Sequence, residues 1–173
     1  MQAVQKFCFM RLGDVVVDLG AAPGGWLQIV RQVVGEKGFV LGVDLSEIEP
    51  LGYPNVHTIV ADIIEPETAK RIRAILPRAP DVVVSDASPS VSGVWEVDHA
   101  RQVELAECSL QIAVSVLKTN GCFFVKVFQG EMFNWFLEKM RGNFALVRIF
   151  KPKASRAESA EIYVLGLGCK SKA

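Results

Sequence analysis

The chain has 173 residues and a mass of 19.0 kDa, a size that fits one domain with a full core, here expected over residues 1–173. Half of its residues are hydrophobic, the mean hydropathy is positive and the formal net charge at pH 7 is zero. Zero net charge excludes a general attraction to nucleic acid, so an RNA partner requires basic residues that are gathered locally. No apolar stretch reaches the roughly 18 residues of a membrane-spanning helix, and the first residues lack a signal-peptide pattern. We expect a soluble, cytoplasmic protein.

The first predicted elements surround a turn of small residues. The first 12 residues are predicted to be the end of a helix, and the β-branched run at 15–17 predicts a strand buried on both faces of a parallel sheet. After Asp18, the glycines Gly20, Gly24 and Gly25 permit backbone angles and close ligand approach that a side chain would block. Pro23 suits the first turn of the following helix.

A strand, a glycine turn and a helix in succession are typical of nucleotide sites. The spacing departs from the G-x-G-x-x-G fingerprint, because Ala21, Ala22 and Pro23 follow Gly20 where that motif has its second glycine. This weakens the interpretation as a nicotinamide site. A purely structural tight turn is the alternative.

The remaining predicted elements alternate between helices and strands. They are a helix over 26–34, strands over 39–44 and 56–60, a helix over 68–76, a strand over 81–86, a helix over 99–117, a strand over 122–127, a helix over 131–140, and strands over 145–150 and 161–167. Alternating βα units predict a doubly wound α/β sheet.

Acidic residues follow several of the predicted strands. Asp44 lies roughly 20 residues after the glycine turn, where these folds place an acid that binds a ribose. Asp18 and Asp62 also stand at strand ends, and we expect the three acids to form one pocket. For Asp44, a helix cap or a solubilising loop residue is the alternative.

Lys126 stands within the apolar run CFFVKV, and Asp86 follows another strand. A lysine is costly to bury unless something uses or neutralises it. The alternative is a lysine whose stem packs on the sheet while its ammonium reaches water.

The four cysteines, Cys8, Cys108, Cys122 and Cys169, are scattered without C-x-x-C spacing. This spacing indicates neither a zinc site nor a disulfide framework. We expect small buried hydrophobic residues at all four positions and no bound metal.

Five motifs occur in order along the chain. They are DLGAAPGGW at 18–26, SDASPSVSG at 85–93, DHARQ from Asp98, VKVFQG at 125–130 and SRAESAEIY at 155–163. Together they resemble the FtsJ/RrmJ family of S-adenosylmethionine-dependent RNA ribose 2′-O-methyltransferases, over essentially the whole chain. The resemblance implies a Rossmann-like class I methyltransferase fold, with a seven-stranded, mostly parallel sheet, an antiparallel last strand and helices on both faces.

The resemblance also implies catalytic residues. The family has a Lys-Asp-Lys-Glu tetrad, and Asp86, Lys126 and Glu161 match its last three members. The first lysine has no match, because Lys6 lies too close to the first strand and its neighbours differ from the family's aromatic-Lys-Leu motif. We expect either that part of an N-terminal helix is missing from this sequence or that the protein works without that lysine.

S-adenosylmethionine is the cofactor that the resemblance implies. The turn from Gly20 to Gly25 would approach its methionine portion, Asp44 its ribose and Asp62 its adenine amino group, while Trp26 would orient the amino-acid end or pack behind the turn. The expected cofactor-binding residues are Asp18, Gly20, Ala21, Pro23, Gly24, Gly25, Trp26, Asp44, Leu45, Asp62, Ile63 and Asp86.

The expected function is methyl transfer to a ribose 2′-hydroxyl of RNA, with large-subunit ribosomal RNA or the large ribosomal subunit as the leading substrate. Lys126 would orient or deprotonate the hydroxyl, and Lys151, Lys153 and Arg156 would hold RNA phosphates. A basic cluster is more often a solvated face. The alternatives are transfer RNA as the substrate and a cofactor-binding or RNA-binding protein without catalysis. Glycine spacing disfavours a nicotinamide oxidoreductase. We expect a monomer.

Overall fold

A seven-stranded sheet with helices on both faces organises the computed structural model, which describes residues 2–152 and 159–171. The elements are α1 (Gln2–Phe7), β1 (Val15–Leu19), α2 (Gly25–Val34), β2 (Phe39–Asp44), β3 (Val56–Val60), α3 (Thr68–Ile75), β4 (Val82–Ser85), α4 (Trp95–Val116), β5 (Cys122–Phe128), α5 (Phe133–Asn143), β6 (Phe144–Phe150) and β7 (Glu161–Cys169).

The strand order is β3-β2-β1-β4-β5-β7-β6. Strands β1 to β5 are mutually parallel, whereas β7 runs antiparallel to both β5 and β6. The predicted α/β sheet and its antiparallel last strand are confirmed. All seven predicted strands and the helices between them are present, with ends that differ by a few residues.

Two predicted helix starts are wrong. Helix α4 begins at Trp95 rather than at 99. The sequence pattern missed its first turn because that turn exposes apolar residues to solvent and so lacks the periodicity of a buried face. Pro23 lies in the turn before α2 rather than in its first helical turn.

The hydrophobic core has two halves, one on each face of the sheet. Alternating residues of the central strands point to opposite faces, so that Val16 and Phe124 pack with α1 and α2, while Val17 and Phe123 pack with α3, α4 and α5. Strand β1 is buried along its whole length, as its unbroken apolar run predicted. None of the described helices is both long and apolar enough to cross a membrane.

The parallel strands end at one edge of the sheet, and the loops after β1, β2, β3 and β4 gather there. Because β7 is antiparallel, its first residue rather than its last reaches this edge. Glu161 is therefore paired with Phe128 at the end of β5. Open α/β sheets bind ligands at the carboxyl ends of their parallel strands.

The expectation that all four cysteines are buried is wrong for Cys8. Its backbone has a φ of +50° where the chain leaves α1, and the residue is exposed. Cys169 is buried, and Cys108 and Cys122 are partly buried. Within residues 2–152 and 159–171, no group of three or more His, Cys, Asp or Glu residues is placed to hold a metal ion.

Candidate active site

A cavity of about 310 Å³ lies at the carboxyl edge of the sheet. This volume is at the lower end of the range for small-molecule sites. The loops after β1 to β4 and one residue of α4 form its wall. The lining residues are Gly20, Ala22, Asp44, Leu45, Ala61, Asp62, Ile63, Ile64, Asp86, Ala87, Ser88 and Leu105.

Gly20 lets the loops after β1 and β4 touch. Its φ is +76°, and a Cβ atom built on it would lie 2.6 Å from the Cα of Ala87. Its amide donates to the carbonyl of Val43 over 2.8 Å, as does that of Ala21 over 3.2 Å. The glycine is therefore required by the backbone, whereas a Cβ on Gly25 would meet nothing within 4 Å.

Asp44 and Asp62 hold the loops that form the cavity wall. One carboxylate oxygen of Asp44 accepts from the amide of Ala22 and the other from the amide of Ser46, both over 2.9 Å. Asp62 accepts from the amide of Ile64 over 2.9 Å. Each carboxylate oxygen has a second lone pair, so these contacts leave acceptor capacity toward a ligand.

Asp18 lies deeper than the sequence predicts. It is fully buried, is not among the lining residues, and neither carboxylate oxygen has a hydrogen-bond partner among the described residues. Burial, followed by the charges of Asp86 and Asp44, raises the pKa of Asp18 well above its ordinary value. The three acids predicted to form one pocket are thus divided: Asp44 and Asp62 line the cavity, and Asp18 is enclosed in the sheet.

Lys126 and Asp86 form the central ion pair. The Lys126 ammonium donates to the carbonyl of Asp86 over 2.9 Å and lies 3.2 Å from its Oδ1 atom. The hydroxyl of Tyr163 donates to the same Oδ1 over 3.0 Å. The Lys126 side chain is 8% exposed and that of Asp86 31%, so the lysine is enclosed while its partner reaches the cavity.

Strand register places Glu161 beside this pair. Tyr163 is paired with Lys126 and Glu161 with Phe128 across β5 and β7, so all four side chains share one face. Burial raises the pKa of Tyr163 above its ordinary range, and the charges of Asp86 and Glu161 add to the effect. Among the described residues, Lys126 makes its ion pair with Asp86 and not with Glu161.

Two contributors to this site carry no obvious signal in the sequence. Tyr163 lies in the SRAESAEIY motif, yet its contact with Asp86 depends on the β5–β7 register. The Gln102 side chain donates to the carbonyls of Ala87 and Lys126, over 3.1 and 3.2 Å, and so ties α4 to the loop after β4 and to β5. Only its place in DHARQ could have marked it.

Trp26 packs against two aromatic side chains of the sheet. Its ring stacks on Phe124 at 6.0 Å and on Tyr163 at 5.9 Å between centroids. It is not among the residues that line the cavity. Leu45, by contrast, lines the cavity and is 68% exposed, and Ile63 lines it from a buried position.

The basic residues predicted to bind RNA are only partly described. Lys151 is exposed, and its ammonium donates to the carbonyl of Ser159 over 3.1 Å. Lys153 and Arg156 lie outside the described residues. The Lys6 ammonium lies over the rings of Phe7 and Phe150, at 5.2 and 5.6 Å from their centroids.

A family model described as FtsJ-like methyltransferase matches residues 1–169. The chain belongs to the FtsJ-like methyltransferase family. The resemblance of its five motifs is therefore confirmed. The cavity of this FtsJ-like chain borders the glycine turn at Gly20 and Ala22.

Proteins named ribosomal RNA large subunit methyltransferase E are similar to this FtsJ-like chain. The one from Methanococcus maripaludis strain C5 is 49% identical over 95% of the chain and 64% of its own length. The one from Methanothrix thermoacetophila is 52% identical over 95% of the chain and 63% of its own length. The chain thus spans less than two thirds of these relatives.

Solved structures share the fold. A Plasmodium falciparum protein described as a ribosomal RNA methyltransferase superposes with a TM-score of 0.86 at 24% identity, over 99% of this chain and 94% of its own. Aeropyrum pernix fibrillarin, solved with natively bound S-adenosyl-L-methionine, gives a TM-score of 0.65 at 15% identity, over 91% of this chain and 67% of its own. The FtsJ-like chain therefore has the predicted Rossmann-like methyltransferase fold.

Proposed function

We propose that this protein transfers a methyl group from S-adenosylmethionine to a ribose 2′-hydroxyl of RNA, and that its substrate is large-subunit ribosomal RNA. The observation that carries the proposal is the enclosed Lys126 ammonium, held by Asp86 at the edge of an acid-lined cavity. The names of the relatives support the choice of ribosomal RNA over transfer RNA.

The residues of the cavity fit a cationic cofactor. S-adenosylmethionine supplies an electrophilic methyl group on a sulfonium and also carries an ammonium. Asp44, Asp62 and Asp86 line the cavity with acceptors, and Asp18 holds two buried acceptors with no partner among the described residues. Leu45 and Ile63 add the apolar surface that a purine ring requires. We propose Asp18, the turn from Gly20 to Gly25, and these five lining residues as the cofactor site.

Lys126 acts on the ribose hydroxyl in this proposal. A hydroxyl is a weak nucleophile until its proton is being removed, so a positioned group that orients it or accepts its proton raises the rate by about 10²- to 10⁴-fold. Asp86 fixes the ammonium through its carbonyl and its carboxylate, and Tyr163 fixes that carboxylate in turn. Glu161 lies on the same face of the sheet, two residues before Tyr163 on β7.

RNA phosphates would contact Lys151, Lys153 and Arg156, which precede β7 in the sequence. Each phosphate contact releases counterions, so affinity for RNA should fall as salt rises. Lys151→Gln should weaken RNA binding and make its salt dependence shallower.

We further propose a monomer that acts in the cytoplasm. Asp86, Lys126 and Glu161 all come from one chain, so the catalytic group needs no second copy.

Ribose mapping tests the proposal directly. The protein is incubated with labelled S-adenosylmethionine and, in separate reactions, with large ribosomal subunits, isolated large-subunit RNA and transfer RNA. Label at a 2′-oxygen of large-subunit RNA is the expected result. Label on a base, or on protein alone, would refute the ribose assignment, and label on transfer RNA alone would replace the substrate. Cofactor or RNA binding without any transfer would identify a binding protein.

A further inference from the structure

An exposed aromatic stack lies at the start of α4. The ring of Trp95 is nearly parallel to those of His99 and Phe128, with centroids 5.6 and 6.0 Å away and interplanar angles of 18° and 12°. Trp95 is nevertheless 47% exposed. Val94 before it and Met132 beside His99 are exposed as well, so two further apolar side chains adjoin the stack.

Hydrogen bonds and close packing hold the stack in place. His99 is buried, and its Nε2 atom accepts from the amide of Met132 over 3.3 Å. A Cβ atom on Gly130 would lie 2.5 Å from the His99 ring, so the glycine loop is packed directly against it. Asp98 accepts from the amides of Ser92 and Gly93, over 2.8 and 3.1 Å, and fixes the loop that leads into α4. A flat surface held in this way needs no rearrangement to receive a ligand.

The stack borders the proposed catalytic group. Phe128 follows Lys126 by two residues on β5, a separation of about 7 Å along a strand, and both residues face the same side. Gln102, two turns after Trp95 on α4, donates to the Lys126 carbonyl. A nucleotide whose ribose reaches Lys126 would therefore have a base within reach of the Trp95 ring.

We propose that Trp95 is the platform on which a nucleobase stacks, either that of the methylated nucleotide or that of its immediate neighbour. The inference rests on the proposed function and names how the substrate is held. Aromatic faces that are exposed beside a reactive site are what unstacked bases bind in single-stranded RNA. The substrate is accordingly a loop, bulge or single strand rather than a continuous duplex.

Paired substitutions test the platform in the whole protein. Trp95→Ala should raise the dissociation constant for a single-stranded RNA by roughly 5- to 100-fold, because one base stack is lost. Trp95→Phe should stay close to the parent. Trp135→Ala is the matched control, since Trp135 is 42% exposed on α5, where it packs on Lys139. Affinity for S-adenosylmethionine and the melting temperature, measured on each variant, show that it is folded.

An abasic substitution identifies the contact. Removing the base at the target nucleotide, or at its neighbour, should weaken RNA binding to the parent protein. In Trp95→Ala the same removal should cause little further loss of RNA affinity. The proposal would be overturned if, at both the target nucleotide and its neighbour, the loss from base removal and the loss from Trp95→Ala were additive. Unchanged RNA affinity in Trp95→Ala would overturn it as well. Tryptophan quenching by the RNA should persist in Trp135→Phe and disappear in Trp95→Phe. Affinity and quenching can be measured with a single-stranded RNA whose target has not been mapped, because base stacking tolerates sequence changes, so absence of methyl transfer would refute the proposed function without deciding the role of Trp95.

Discussion

Replacing Lys126 by methionine separates catalysis from cofactor binding. Methionine keeps most of the apolar stem that β5 buries and removes only the ammonium. The ammonium makes one hydrogen bond to the Asp86 carbonyl, over 2.9 Å, and one ion pair with its carboxylate, over 3.2 Å. Both contacts disappear, while the Tyr163 hydroxyl continues to donate to Asp86.

The expected effects differ in size because Lys126 does not line the cofactor cavity. The rate of transfer should fall by about 10²- to 10⁴-fold, or roughly 3–5.5 kcal/mol in the barrier, the usual contribution of a positioned acid or base. The dissociation constant for S-adenosylmethionine should change by less than about threefold, or under 0.7 kcal/mol. The free energy of unfolding should fall by about 1–3 kcal/mol, because Asp86 is 31% exposed and keeps one donor.

Single-turnover transfer of labelled methyl to the mapped RNA measures the first quantity, and calorimetric titration with S-adenosylmethionine measures the second. Lys139→Met is the matched control, since Lys139 also pairs with a carboxylate, that of Glu107, but on α5. The control should retain the parent rate. Equal losses of transfer and of cofactor affinity in Lys126→Met would show that Lys126 has a structural role rather than a catalytic one.

Three further predictions concern buried polar groups and the glycine turn. Asp18→Asn should weaken S-adenosylmethionine binding by about tenfold or more, measured by calorimetry, because one of the two buried acceptor oxygens that have no partner among the described residues is replaced by a donor. Burial raises the pKa of Asp18, so the free energy of unfolding of the cofactor-free protein should fall as pH rises from about 3.8 toward the raised value. Denaturant titrations of Asp18→Asn should no longer show that fall. A pH profile equal to that of the parent would contradict this prediction. Gly20→Ala should destabilise the fold by about 2 kcal/mol or more, because the φ of Gly20 is positive and an added Cβ would meet Ala87. The control Gly142→Ala, which has open space around the added Cβ, should unfold at or above the melting temperature of the parent. Equal melting temperatures for the two variants would contradict the prediction. Burial opposes ionisation of Asp81, but hydrogen bonds from two cationic side chains and a backbone amide outweigh it and lower the pKa of Asp81, so its stabilisation is complete above about pH 4 and is lost as pH falls through the lowered value. Asp81→Asn should therefore be less stable than the parent at pH 6 and lose less stability between pH 4 and pH 2, and a parallel acid profile would refute this.

Local sequence patterns predicted most of the fold. Unbroken apolar runs marked the buried strands, and helical spacing marked α2 and α4 where they face the core. These signals arise from which side of an element is buried, so they are present within each segment. The first turn of α4 was missed for the same reason, because Trp95 and its neighbours face solvent.

The candidate site was predicted unevenly. Asp44, Asp62 and Asp86 could be placed near the cavity because each ends a parallel strand, and parallel strands end at one edge. Asp18 also ends its run of β-branched residues, yet it is enclosed because neighbouring strands cover it on both sides. Depth within a sheet depends on strand order, which no single segment carries.

The order of elements, the glycine turn after β1 and, through five motifs, membership of the FtsJ-like family could all be inferred from the amino-acid sequence. The residues that complete the Lys126 site could be identified only from the folded chain. Tyr163 reaches Asp86 because β7 runs antiparallel in one register against β5, and Trp95 stacks on Phe128 because α4 begins above the end of that strand. Register and packing join segments far apart in the chain, and the energies that select them come from the contacts that form only when those segments meet.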